Sequence, residues 1–306
     1  MVKKVILAKP RGFCAGVEMA IETVKLTHQK YPGYDVYVNH QIVHNEKVVN
    51  ELIEDYGTIF VEDLDDVPEG GILVLSAHGV GPDVYSQARQ RNLKVIDATC
   101  PLVDKVHKKA IRYDENEYEI ILIGHEGHQE VIGHQGYAAM HVVDSVEDVE
   151  ALQVTDPNKV AFITQTTLSV EDTREVVGAL YTKFSNIKTS KDDICYATTN
   201  RQEAVKRLSE HVDLVLVAGE SNSSNSVRLV ETAMQKVPAY LISDVDYIDE
   251  TWLEGIETVG LTSGASVPES VVQGIVKYFT DKFHTTVETL LYKEEHVTFK
   301  LPSEVV

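Results

Sequence analysis

A chain of 306 residues is long for one hydrophobic core, and its make-up, 43% hydrophobic and 25% charged, is that of an ordinary globular protein. Acidic residues number 48 against 28 lysines and arginines, and a net charge of −20 argues against nucleic acid, where a basic footprint supplies most of the affinity. Three cysteines without a CxxC exclude a disulfide framework, zinc ribbons and thioredoxin-like motifs, and no run approaches the roughly 20 apolar residues that cross a bilayer.

The N-terminus, Met1 to Pro10, has an apolar run too short for a signal-peptide core and reads as the first strand, so a cytoplasmic location is expected. Cys14 ends this extended run. A helical pattern follows from Val17 to His28, then a strand from Asp35 to Val38 and a polar loop with His44. A short helix and strand come next, ending at Thr58–Val61. The strand Ile72–Leu75 then leads into a second polar loop, Ser76-Ala77-His78-Gly79.

The same order recurs after Cys100. Leu102–Tyr113 reads as helix and Glu119–Ile123 as strand, with His128 in the loop beyond it. His141–Val143 is a further strand, and Val160–Thr167 reads as a last apolar strand ending in a polar loop. It recurs a third time after Cys195. Gln202–His211 is helical and Asp213–Val217 extended, followed by Ser221-Asn222-Ser223-Ser224-Asn225-Ser226 opening a helix at Val227. Ala239–Ile242 and the strand from Thr258 lead to Ser266. The first loop lies 30, 28 and 28 residues after its cysteine, and the second 64, 66 and 71. Self-similarity of strands and helices is common in α/β proteins, but three cysteines in register are not explained by it.

Alternating short strands and helices predict α/β units with mostly parallel sheets, whose ligands bind beyond the carboxyl ends of the strands. Every polar cluster named above falls at such an end. The expected division is 1–97, 98–191 and 192–283, three similar units facing inward, with a tail from 284 to 306 packing back on the body. Three convergent thiolates would hold either zinc with a fourth ligand or a four-iron cluster with one iron left open. Structural zinc ligands usually come as close pairs, whereas these cysteines lie 86 and 95 residues apart.

Among the histidines, His44, His78 and His128 sit in strand-end loops and are candidates for function, while His28, His107, His211 and His284 read as surface or structural. His125-Glu126-Gly127-His128 is not the HExxH of a zinc protease, because its second histidine comes one position early. The Ser/Asn run before Val227 exceeds what one helix cap requires and suits an anion at a helix N-terminus, as does Ser266 before the last helix. Together these describe a pocket for a strongly anionic group with little lysine or arginine. A zinc-dependent hydrolase and an iron–sulfur electron-transfer or redox-sensing protein are the competing readings. The second needs no anion pocket.

Taken together, Pro10-Arg11-Gly12-Phe13-Cys14-Ala15-Gly16-Val17, Ser76-Ala77-His78-Gly79-Val80, Asp97-Ala98-Thr99-Cys100-Pro101-Leu102-Val103, Gly124-His125-Glu126-Gly127-His128, Thr164-Gln165-Thr166-Thr167-Leu168-Ser169, Asp193-Ile194-Cys195-Tyr196-Ala197-Thr198-Thr199-Asn200-Arg201-Gln202 and Asn222-Ser223-Ser224-Asn225-Ser226 resemble the 4-hydroxy-3-methylbut-2-enyl diphosphate reductase family. The resemblance implies three α/β domains arranged pseudo-threefold around a central 4Fe-4S cluster. It implies reductive dehydration of a diphosphate substrate to isopentenyl and dimethylallyl diphosphates, with ferredoxin or flavodoxin as electron donor. Cys14, Cys100 and Cys195 would ligate three irons. His44, His78, His128, Thr166, Thr167, Ser223, Ser224, Asn225 and Ser266 would hold the substrate. Glu130 would supply a proton through Thr166 beside His128, its acidity weakened by a dry pocket, with Glu126 as the local alternative. Gln129 stands where the family more often has proline, which is expected to loosen the loop between His128 and Glu130.

Overall fold

Short aliphatic runs bounded by polar loops make most of the strands, and the computed structural model describes residues 1–189 and 193–306. β1 (Lys4–Lys9) runs into the loop of Cys14, and α1 (Ala15–Lys30) starts at the next residue. β2 (Val36–Asn39), α2 (Glu46–Tyr56), β3 (Ile59–Val61), β4 (Ile72–Leu75), α3 (Pro82–Gln90) and β5 (Lys94–Asp97) follow. Cys100 then caps α4 (Pro101–Glu115), with proline at the first helical position, where a missing N–H costs nothing. Next come β6 (Glu119–Ile123), α5 (Gln129–Gln135), β7 (Met140–Val143), α6 (Val146–Ala151), β8 (Val160–Thr164), α7 (Val170–Lys183) and β9 (Lys188–Thr189). α8 (Tyr196–Leu208) begins directly after Cys195. β10 (Leu214–Ala218), α9 (Ser224–Met234), β11 (Ala239–Ile242), β12 (Thr258–Ser263), α10 (Glu269–Phe283) and β13 (Thr286–Leu291) complete the chain.

The strands form three parallel sheets, ordered β3-β2-β4-β5, β7-β6-β8-β9 and β11-β10-β12-β1-β13. The repeat is therefore real in topology, but its phase differs from the expected division. The fourth strand of each sheet leads into the cysteine of the following repeat: β5 into Cys100, β9 into Cys195, and β1 into Cys14. β1 pairs Lys4–Leu7 with Thr258–Leu261, so it belongs to the sheet of the third repeat and not of the first. Parallel neighbours are joined by crossovers, so strand order in space is not strand order in sequence. The tail does more than pack against the body, because β13 pairs along all of β1 as an edge strand. The expected boundary at 191/192 lies outside the described residues.

Two compact units result. One comprises Met1–Cys14, His44–Val48 and Tyr196–Val297 and holds the five-stranded sheet. Both faces of that sheet are covered, which explains its near-continuous apolar strands. Val5, Leu7, Leu216 and Leu261 pack under Val272, Ile275 and Phe279 of α10. Ile6, Ala8, Val215 and Val217 pack under Val205 and Leu208 of α8 and Leu229 of α9. The second unit comprises Ala15–Val43, Val49–Cys195 and Thr298–Val306 and holds both four-stranded sheets. There Ile120, Leu122 and Ile163 face Val106 and Ala110 of α4 and Val131 of α5, while Ile121, Ile123 and Phe162 face Val176 and Leu180 of α7. Among the described residues, no helix is long and apolar enough to cross a membrane.

Candidate functional site

Each cysteine precedes a helix by one residue, at the end where unpaired N–H groups and the helix dipole favour negative charge. All three are partly exposed and none is in a disulfide. Their backbones are tied to the strand-end loops singled out from the sequence. Cys14 N–H donates to Ala265 O at 3.2 Å, Cys100 N–H to Ala77 O at 3.0 Å, and Cys195 N–H to Thr166 O at 3.0 Å. Each thiol is thus one hydrogen bond from a loop carrying Ser266, His78 or Thr166.

In the first unit, Ser266 Oγ donates to the His44 carbonyl at 2.9 Å. Ser223 caps α9, its Oγ accepting from Ser226 N–H and from Ser226 Oγ at 3.1 Å. This close start of α9 exists because β10 and β12 are each followed directly by a glycine. A Cβ at Gly219 or Gly264 would collide with the Ser226 side chain. Ser224 is half-buried at the helix start. Asn225 is 5% exposed, yet neither atom of its side-chain amide has a partner, and the buried hydroxyls of Ser263 and Thr262 have none either. Buried polar groups are nearly always satisfied. Three orphans beside one helix start mark a place prepared for a polar ligand.

In the second unit, His128 caps α5, and its Nδ1 accepts the Glu130 N–H at 3.1 Å. That bond leaves Nε2 as the proton-bearing nitrogen of the neutral ring. Gln129 occupies the first turn of α5, directly after the His128 cap. The rings of His78 and His128 meet edge to face at 6.2 Å, and His78 Nδ1 lies 3.3 Å from Ser76 Oγ. Burial pushes the imidazole of His128 below its ordinary pKa, against an upward pull from Glu130.

Glu130 itself is 2% exposed, whereas Glu126 is on the surface. The Glu130 carboxylate accepts from Thr166 N–H at 2.7 Å and from Thr166 Oγ1 at 3.0 Å, and His134 Nε2 lies 3.3 Å from its Oε1. The dry pocket expected from sequence is present, but its consequence is reversed. Burial pushes the carboxyl pKa up, yet the hydrogen bonds from His134 and the Thr166 N–H, with the neighbouring histidines, outweigh it and hold Glu130 below the usual range. Glu130 therefore favours its carboxylate form. Thr167 Oγ1 accepts from Gln165 Nε2 at 2.9 Å, which fixes the turn after β8.

Several residues of consequence escaped sequence reasoning. His134 lies four residues after Glu130 on α5, a spacing that puts both on one helix face and was available as a signal. His107, whose sequence context suggests a surface or structural role, touches His134. Ser263 and Thr262 give no signal beyond being small and polar at a strand end. Arg201, which the sequence marks only as a motif position, is wholly buried.

These features define a parallel α/β protein whose thiols, buried carboxylate and helix-start hydroxyls each lie near the carboxyl end of a strand. The chain belongs to the LytB protein family, whose model matches residues 5–280. It is 53% identical over 308 residues to the 4-hydroxy-3-methylbut-2-enyl diphosphate reductase of Acidothermus cellulolyticus, spanning 99% of this chain and 90% of that one. The protein of the same name from Mycobacterium ulcerans is 51% identical, spanning 99% and 92%. Of solved structures, the E-1-hydroxy-2-methyl-but-2-enyl-4-diphosphate reductase from Plasmodium falciparum superposes with a TM-score of 0.95 at 42% identity, covering 100% of this chain and 97% of that chain. A second, (E)-4-hydroxy-3-methyl-but-2-enyl diphosphate reductase, described as the terminal enzyme of the non-mevalonate pathway, gives 0.65 at 32% identity, covering 92% of this chain and 100% of that one.

Proposed function

We propose that this chain is a cytoplasmic 4-hydroxy-3-methylbut-2-enyl diphosphate reductase, taking two electrons and two protons to convert that allylic alcohol to isopentenyl or dimethylallyl diphosphate and water. The observation that carries the reading is local. The buried Glu130–Thr166 pair, equipped to handle a proton, shares its strand-end loop with the backbone of Cys195.

The donor set fits an iron–sulfur cluster. Cys14, Cys100 and Cys195 would each ligate one iron of a 4Fe-4S group and leave the fourth without a protein ligand. Among the described residues no three His, Cys, Asp or Glu side chains are grouped to chelate a single ion. A cluster asks for one thiolate per iron, so its ligands need not share one coordination sphere. When bound, the cluster supplies electrons one at a time and Lewis acidity toward the departing oxygen.

The chain's own residues do the rest. The start of α9, with Ser223, Ser224 and the unpartnered Asn225 amide, and Ser266 beside His44 would bind the diphosphate through N–H and hydroxyl donors, which suits an acidic protein with few cations to spare. His78 and the Nε2–H of His128 would add donors, and Thr167 would line the same loop. Glu130 would protonate the leaving hydroxyl by way of Thr166 Oγ1, which already lies 3.0 Å from its carboxylate. A carbon–oxygen bond to an allylic carbon breaks readily only when the oxygen leaves as water. The second proton goes to either end of the allyl group and decides the product. A ferredoxin or flavodoxin would supply the electrons.

Anaerobic purification followed by iron and sulfide analysis tests this, with an absorption spectrum taken with and without hydroxymethylbutenyl diphosphate. About four irons per chain are expected, with a brown colour, a spectral change on adding substrate, and turnover with dithionite and a viologen. A colourless protein holding one zinc would overturn the proposal.

A further inference from the structure

Beneath Glu130 lies a second layer of titratable side chains that the reaction outlined above does not use. His134 is fully buried, and its ring meets that of His107 edge to face with centroids 4.9 Å apart. His107 is 3% exposed. Its Nε2 has no hydrogen-bond partner, and neither has Nδ1 of His134. An unsatisfied buried nitrogen is destabilising, so two aromatic or aliphatic side chains would fill this space at less cost. The space is held open by backbone: Gly79 has φ +73° and a Cβ there would lie 2.6 Å from the His107 ring, while a Cβ at Gly133 would lie 3.0 Å from Gly79 O. Gly79 therefore admits His107 beside His134, and a nitrogen of each goes unpaired.

The pair leads outward. His107 stacks on Tyr137 at 4.4 Å. Tyr137 lies near Tyr85, which donates to the exposed Asp97 at 2.6 Å. A line of ionisable side chains thus runs from the surface to a carboxylate that is itself cut off from water. His128 and Asp104 are the other charged or titratable neighbours, the first beside His134 and the second beside His107.

We propose that His134 and His107 form a proton relay that recharges Glu130 after each turnover, with His134 also fixing the orientation of the carboxylate. The proposal rests on the reading of Glu130 as proton donor. In the resting state His134 donates Nε2–H to the Glu130 carboxylate. His107 Nε2 and His134 Nδ1 are not hydrogen-bonded at rest, although their rings touch, so transfer needs the rings to turn toward each other. A proton arriving at His107 Nδ1 then releases the Nε2 proton of that ring to His134 Nδ1, and the Nε2 proton of His134 passes to Glu130 Oε1. The proton taken up neutralises the Glu130 carboxylate, and both rings regain their starting tautomers by rotation before the next transfer. Glu130 becomes the carboxylic acid that Thr166 presents to the leaving hydroxyl. Burial, aided by His134, holds the pKa of His107 down at about 4. That ring is therefore a conduit that does not trap the proton.

His134→Gln separates relay from positioning, because the amide keeps an N–H toward Glu130 but cannot pass a proton. With viologen as donor, steady-state turnover should fall roughly tenfold or more while KM and the first turnover of pre-charged enzyme stay as in the wild type. His107→Gln should give the same split. Because it lies one residue further from Glu130, it tells relay loss from local misfolding. Nitrogen-15 spectra of histidine-labelled protein without cluster give a readout independent of activity, and should place the His134 proton on Nε2. Wild-type turnover and pH profile in both variants, or a His134 proton found only on Nδ1, would overturn the relay. Absence of reductase activity in the wild type would instead defeat the functional reading, while the spectra would still decide the histidine pair.

Discussion

Arg201 Nη2 donates to the Gly12 carbonyl at 2.7 Å from a side chain that has no exposed surface. The same guanidinium reaches Phe13 O and Ala197 O and pairs with Glu295 at 3.3 Å. It therefore braces the loop immediately before Cys14 from α8, with a carboxylate from the C-terminal segment as counter-ion. Arg201→Met removes all of these bonds and leaves Glu295 with only the Asn200 amide as a donor. Stability should fall by about 3–5 kcal/mol, measured as a lower urea midpoint at unchanged slope, and iron content should fall with it. Glu295→Gln should cost less, because that carboxylate is partly exposed and an amide still accepts from Arg201.

Glu130→Gln keeps the acceptor toward Thr166 but cannot cycle a proton. Turnover should drop by roughly 10²–10⁴-fold, with iron content and substrate-induced spectral change retained. Glu126→Gln, at an exposed position, should turn over normally. The reverse pattern would move the proton source to Glu126.

Asn225→Ala should divide binding from stability. Its amide has no partner in the protein, so deleting it should leave the thermal midpoint unchanged or slightly raised. Hydrogen bonds to charged groups are worth about 1.5–3 kcal/mol, so inhibition by pyrophosphate should weaken roughly ten- to a hundredfold. Equal pyrophosphate affinity in the two proteins would remove Asn225 from the diphosphate site.

Acid should destabilise the second unit earlier than carboxylate titration alone would. His107 is held near pKa 4 from an ordinary 6.5, so between those values the unfolded chain binds a proton that the folded protein refuses. The stability this represents is complete above about pH 6.5 and lost as pH falls toward 4, on the order of 3 kcal/mol in all. Glu130 has the same sign at lower pH, since its folded pKa lies below the ordinary 4.5. Urea midpoints at pH 7.5, 6 and 5 should decline steadily in the wild type and less in His107→Phe. A flat wild-type profile would contradict the assignment.

Much of this molecule was legible in its sequence because strand and helix periods are local. The run Glu119–Ile123 coincides with β6, the run Val160–Thr167 contains β8 and continues into its loop, and the registered cysteines announced a threefold repeat. Residue type and spacing also marked Ser223 and Asn225, since helix caps have local signatures, whereas the role expected of Glu130 came from the family resemblance. Pairing between distant segments has none. Only the tertiary structure decided that β1 closes the sheet of the last repeat, that β13 covers it, and that Arg201 reaches back to Gly12. The charge state of Glu130 belongs to the same class. Burial alone argued for a weakened acid, and the opposite result depends on where His134 and the Thr166 N–H lie in space, because hydrogen bonds and nearby charge act over a few ångströms regardless of separation along the chain.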